Sequence, residues 1–286
     1  MQPFLADDGE VIHVAITGDG RPMVLLHGWT ATHRDWNPFV STFGASHRVF
    51  RWDARGHGGH PLTIGQAPTV ERMARDLENL MAHWDLHDAV VIGHSMGALT
   101  LWQYLRDFGT KRLSQVVFID QSPRLLTDEH WTNGIYGDFD NERNAAFVRD
   151  LEQDFAETVL RLVANGLNER GRRKYLENGK GMQMARERLR ALDPAPLIAC
   201  WKSLTAADYR EVLARIDVPA LLIYGEESNF YTSTTAHWVR DAIPNARMHV
   251  YDGVDHAPHL WQAERFLHDV LDFVGADCDE SCAMCA

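Results

Sequence analysis

The residues best suited to chemistry lie in Val90-Val91-Ile92-Gly93-His94-Ser95-Met96-Gly97-Ala98-Leu99. A buried apolar run enters Gly-x-Ser-x-Gly, and an apolar helical pattern through Trp102 and Leu105 leaves it. A strand-to-helix turn this tight holds its serine in a strained backbone conformation, and side chains at Gly93 or Gly97 would collide with the neighbouring chain. The turn lifts the hydroxyl clear of a sheet and sets it at a helix amino terminus, where free N–H groups favour developing negative charge. Ser95 is therefore read as a nucleophile.

A nucleophilic serine needs a donor pair for the oxyanion and a base for its proton. Leu25-Leu26-His27-Gly28-Trp29 ends an earlier apolar run in His-Gly-x. Gly28 lets the backbone approach a bound carbonyl, so the main-chain N–H groups of Trp29 and Met96 are the expected oxyanion donors. His27 is expected to order this loop rather than to take a proton. The base is read as His256, in Asp252-Gly253-Val254-Asp255-His256-Ala257-Pro258-His259, after the last strand-like run and before the helix containing Phe266. An imidazole there reaches the edge where Ser95 sits. His259 is expected to belong to the turn.

The elements that must position these groups are legible in the pattern. Met23 to Leu26, Val49 to Trp52, Ala89 to Ile92, Val116 to Ile119, Ala220 to Tyr224 and Met248 to Tyr251 read as strands. Most are continuous rather than alternating, as parallel strands covered on both faces must be. Between them lie amphipathic helices, one marked by Val70, Met73, Leu77, Leu80, Met81 and Trp84 and another by Ala263, Leu267, Val270, Leu271 and Val274. The fold class is α/β, a mostly parallel, doubly wound sheet. The rhythm breaks from Gln121 to Tyr209, where Ala145 to Leu167 and Gly171 to Leu192 look helical and no strand is evident. The chain thus reads as a core of residues 1–120 and 210–275, a helical cap of 121–209 over the carboxyl edge of the sheet, and a flexible tail of 276–286. Aromatic residues crowd the insertion, and Trp131, Tyr136 and Trp201 are expected to line a substrate pocket with Trp29 and His94.

Together the His-Gly-Trp loop, Asp53-Ala54-Arg55-Gly56-His57-Gly58, the serine elbow and the Gly253-x-x-His256 ending resemble the α/β-hydrolase superfamily over essentially Glu10 to Gly275. That resemblance implies a triad acid. Its usual place, after the strand Pro219 to Tyr224 in the form Gly-x-x-Asp, is occupied here by Gly225-Glu226-Glu227-Ser228. Some members take the acid instead from the end of the strand after the nucleophile helix, which here is Asp120. Asp120 is the expected acid, with Glu227 or Glu226 as the alternative, while Asp53 is expected to brace its own turn.

A serine at the elbow argues against dehalogenase and epoxide-hydrolase chemistry, which needs a carboxylate there. Acyl chemistry remains, most simply on a carboxylic ester or lactone of a small to medium apolar or aromatic substrate, through an acyl-enzyme and without a cofactor or metal. Two other readings share the scaffold's residues. Carbon–carbon bond hydrolysis fits the same apparatus. A cofactor-free dioxygenase of the 3-hydroxy-4-quinolone type is also similar around Gly28-Trp29 and His33-Arg34, though that pattern has proline where His27 stands. A non-catalytic ligand receptor on this scaffold is disfavoured by the intact Ser95 and His256.

Composition narrows the partners. Forty-five per cent of the residues are apolar and the net charge is −12, with the acids scattered. Nucleic acid and anionic membranes are repelled by such a surface, which leaves a small-molecule substrate as the expected partner. Met1 to Ile12 lacks the basic flank and apolar run of a signal peptide, so the expected location is cytoplasmic. Of four cysteines, only Cys200 lies in the body. Cys278, Cys282 and Cys285 form a tail motif without an obvious fourth ligand, a poor structural zinc site.

Overall fold

Apolar residues at every position of a strand can be buried only when helices cover both faces of the sheet. The computed structural model of the chain, which describes residues 1–63 and 66–283 with side chains to Gly275, has this architecture. Its eight strands are β1 (Gln2–Leu5), β2 (Val11–Thr17), β3 (Arg21–Leu26), β4 (His47–Asp53), β5 (Ala89–His94), β6 (Leu113–Ile119), β7 (Ala220–Gly225) and β8 (Ala246–Tyr251). They form one sheet in the order β1-β2-β4-β3-β5-β6-β7-β8. β4, β3 and β5 to β8 are mutually parallel, whereas β2 runs antiparallel to β4 and β1 antiparallel to β2.

Each expected strand is present, and every one is longer by a residue or more. The amino-terminal pair β1 and β2 was absent from the expectation. Val11–Thr17 buries Ile12 and Val14 while leaving Val11 and His13 half-covered, the alternation of a strand with one solvated face. That short period-two signal marked it.

Along the parallel strands successive side chains enter two cores. Val24, Val91, Val116 and Leu222 pack with α2 (Val70–His83) and α3 (Met96–Phe108), the helices that follow α1 (Val40–Phe43). Leu25, Ile92, Val117 and Ile223 pack with Phe39, Phe43, Phe266 and Val270 on the other side. The chain leaves the sheet at Ile119 and returns at Ala220, passing through α4 (Asn141–Gln153), α5 (Phe155–Ala164), α6 (Glu169–Glu177), α7 (Lys180–Arg190), α8 (Pro194–Ala206) and α9 (Arg210–Leu213). Two expected long helices are each divided. Asp154 ends α4 and caps α5 through a side-chain bond to Glu157 N–H, and Asn178 ends α6 in the left-handed region at φ 46°. Asx side chains compete locally with the helical backbone, which is why the breaks fall on them. After β7 come α10 (Ser233–Ala242), α11 (Pro258–Trp261) and α12 (Ala263–Ala283). The backbone of α12 continues past Gly275 into the segment expected to be flexible. The side chains of Cys278 and Cys282 and the whole of Cys285 lie outside the described residues.

Because β3, β5, β6, β7 and β8 are parallel, their carboxyl ends share one edge of the sheet. Gly28, Ser95, Asp120, Ser228 and His256 each follow one of those ends.

Candidate active site

Ser95 adopts φ 53° and ψ −115° between β5 and α3, a region that L-residues rarely occupy. Close packing imposes the turn. A Cβ on Gly93 would lie 2.6 Å from the carbonyl carbon of Gly97, and one on Gly97 would lie 2.3 Å from the Leu26 carbonyl oxygen. The elbow is thus pressed against β3, whose following loop brings Gly28 to the serine. A Cβ on Gly28 would sit 3.4 Å from the Ser95 Cβ. His27 holds that loop in a single neutral tautomer. Its Nδ1–H donates to the Gly28 carbonyl at 2.8 Å and its Nε2 accepts from Ala54 N–H at 3.0 Å. Burial also pushes its pKa down.

Asp120 lies fully buried beyond β6, with φ 46° and its N–H bonded to the Ile223 carbonyl. Its carboxylate receives His256 Nδ1–H at 2.6 Å, Ser228 Oγ–H at 2.6 Å and Gly225 N–H at 3.0 Å. With Nδ1 so engaged, Nε2 of His256 keeps its lone pair to accept a proton. Ser228, the residue at the superfamily's usual acid position, thus bonds to the acid. Glu226 accepts instead from Gly253 N–H, and Glu227 pairs with Arg170 at the surface. No hydrogen bond joins Ser95 Oγ to His256 among the described residues.

The serine, imidazole and carboxylate therefore lie along one edge of a parallel sheet, in the chain order Ser, Asp, His. The model of the α/β-hydrolase fold matches residues 21–263. The chain belongs to this family. A non-heme chloroperoxidase of Kitasatospora aureofaciens is 26% identical over 93% of this chain and 97% of its own. A pimeloyl-[acyl-carrier protein] methyl ester esterase of Vibrio vulnificus is 26% identical over 92% of this chain and 98% of its own. Among solved structures, an esterase from Exiguobacterium antarcticum superposes with a TM-score of 0.81 at 21% identity, covering 96% of this chain and 98% of that one.

Around these three residues the expected pocket residues divide. Trp29 and Trp201 stand together with ring centroids 4.8 Å apart, and Phe155 meets Trp29 edge-on. Trp131 does not join them. Its indole donates to the Arg124 carbonyl and packs on Trp238 under the Arg210 guanidinium, so it is a core residue at the base of the insertion. Tyr136 is held one layer back, its hydroxyl on the Leu162 carbonyl and its ring on Phe230. His94 is half-buried beside Gly28 and serves as a structural tie. Its Nε2–H donates to the His256 carbonyl at 2.9 Å, joining the elbow to the histidine loop. Burial, with the neighbouring His259 and His256, holds its pKa well below the usual range.

His259 is buried among Trp36, Phe39 and Phe266, where burial pushes its pKa down to about 3. It makes no contact with Asp120 that could rival His256. Asp53 braces its own loop, receiving His33 N–H at 2.8 Å and facing the His33 and His60 rings. Burial opposes that charge, but the His33 bonds outweigh it and lower the pKa. The sequence reading missed Phe230, whose ring meets that of His256 at 4.5 Å, and Cys200, whose thiol touches the Met96 sulfur at 3.6 Å. Phe230 lies two residues past Ser228, in the loop searched only for an acid. Among the described residues no cluster of three or more His, Cys, Asp and Glu is arranged to hold a metal ion.

Proposed function

We propose that this α/β hydrolase is a serine hydrolase that cleaves a carboxylic ester or lactone through an acyl-enzyme, without a cofactor. One observation carries the reading. An imidazole fixed by a buried carboxylate at 2.6 Å shares the sheet edge with a serine on a strained, glycine-flanked elbow. His256 Nε2 accepts the Ser95 proton as the oxygen attacks the carbonyl carbon. Asp120 steadies the imidazolium, and the N–H groups of Trp29 and Met96 receive the oxyanion. The imidazolium then protonates the leaving alkoxide, and water attacks the acyl-enzyme by the same route. The likeness to a methyl ester esterase along nearly the whole chain supports this substrate class.

The test is a panel of p-nitrophenyl esters and lactones with a fluorophosphonate probe. Ser95 should be the labelled residue, and Ser95→Ala should lower kcat by several orders of magnitude with the fold intact. Full turnover in that variant would overturn the serine mechanism. Oxygen consumption with a hydroxyquinolone would then favour chemistry by the His256–Asp120 pair alone.

A further inference from the structure

A cavity lies against Thr30 and Ala31, the two residues that follow the candidate oxyanion donor Trp29. It measures about 580 Å³ and is lined by Thr30 and Ala31, by the loop from Gly56 to Leu62, and by the α7–α8 junction through Leu197 and Ala199. Its walls set Leu62, Pro68 and Pro196 beside His57 and His60, with Asp193 at the α7–α8 junction. His57 is a neutral acceptor at its far nitrogen. Nδ1–H donates to the Arg55 carbonyl, and burial pushes the pKa down to about 3. The side of the cavity formed by Leu62, Pro68, Pro196 and Leu197 suits an uncharged, apolar group.

Thr30 and Ala31 directly follow Trp29, whose main chain borders Ser95 through Gly28. The Trp29 indole does not hang free at this boundary. Its Nε1–H donates to the Leu197 carbonyl at 2.9 Å, and Leu197 is itself a wall of the cavity. Trp201 and Phe155 close on the ring from the insertion. Further along α8, Cys200 rests on Met96, so one helix steadies both residues that carry the candidate oxyanion donors. A ring packed on two others and pinned by a hydrogen bond is a fixed wall.

We propose that Trp29 is a partition that sets acyl length, closing the Ser95 site against this cavity and restricting the enzyme to short acyl groups. The proposal rests on the serine-hydrolase reading and adds the substrate class to it. Opening the wall joins to the site a volume whose apolar side chains a medium-length alkyl chain can cover. Each methylene that enters contributes to discrimination between substrates.

The experiment compares kcat/KM for p-nitrophenyl acetate and octanoate in the parent, Trp29→Phe and Trp29→Ala. The parent should favour acetate. Trp29→Phe keeps a wall while removing the indole donor, and should stay within a few-fold of the parent's ratio. Trp29→Ala should move the ratio toward octanoate by at least about tenfold. Adding Ala199→Phe, which fills the cavity from α8, should reverse that gain. Thermal unfolding midpoints identify any variant that fails to fold, and Trp29→Leu replaces Trp29→Ala in that event, with the same direction expected. A parent that prefers octanoate, or an unchanged ratio in the truncated variant, overturns the partition and leaves the serine reading intact. Failure of the parent to turn over either ester, with Ser95 unlabelled by fluorophosphonate, overturns both.

Discussion

The carboxylate of Asp120 is the point on which the candidate site converges. It gathers an imidazole, a hydroxyl and a main-chain N–H inside a fully buried setting. Asp120→Asn replaces an acceptor with an amide that can present its donor to His256, so the useful tautomer is lost. A fall of about four orders of magnitude in kcat is expected. Ser228→Ala removes one charge-assisted bond while leaving the other two, and should cost about tenfold in kcat. Glu226→Gln and Glu227→Gln should leave kcat within a few-fold of the parent, because both side chains are engaged away from His256. Steady-state kinetics on one activated ester separates the variants, and a damaging Glu227→Gln with a mild Asp120→Asn would reverse the assignment. The position of Ser228 shows what the residues themselves could tell. A missing acid in one loop directed attention to the neighbouring strand end. That the replacing serine bonds to the acid depended on the path of the loop after β7, which no spacing encodes.

At the scale of elements, the contact between α3 and β3 decides whether the elbow can form. Gly97→Ala places a methyl 2.3 Å from the Leu26 carbonyl oxygen, so helix and strand must separate. A loss of about 1–3 kcal/mol in urea unfolding is expected, with kcat falling as well. Gly275→Ala is the control. A Cβ there meets nothing within 4 Å in an exposed helical position, so stability should hold or rise by up to about 1 kcal/mol. The parallel strands were legible because burial on both faces leaves continuous apolar runs. The helices of the insertion were legible in kind but not in extent, since Asp154 and Asn178 divide them through bonds that periodicity does not record. Its aromatic residues were least legible. Trp131, Tyr136 and Trp201 have the same composition signal, yet only Trp201 reaches Trp29. Which face of an inserted helix meets the sheet is settled by tertiary packing.

Across the whole molecule, buried histidines tie stability to acidity. His57 and His259 are held neutral by burial, each with a pKa pushed down to about 3. Unfolding returns them to about 6.5, so between those values the unfolded chain binds more protons and stability falls as the pH drops. Above about pH 6.5 they contribute no slope. Each adds up to about 1.4 kcal/mol per pH unit within the window. Urea midpoints from pH 7.5 to 5 should therefore decline below about pH 6.5, and His259→Phe should flatten that decline. An unchanged slope would show that other groups govern the acid limb. The strand order has a consequence in time. Ser95 lies in the middle of the sheet, whereas His256 follows β8 at its edge, 162 residues beyond His94. A ribosome adding about 5–20 residues per second finishes the elbow on the order of ten seconds before the imidazole emerges. Throughout that interval the growing chain carries the candidate nucleophile without its candidate base, and the proposed hydrolysis can begin only when the final strand has docked.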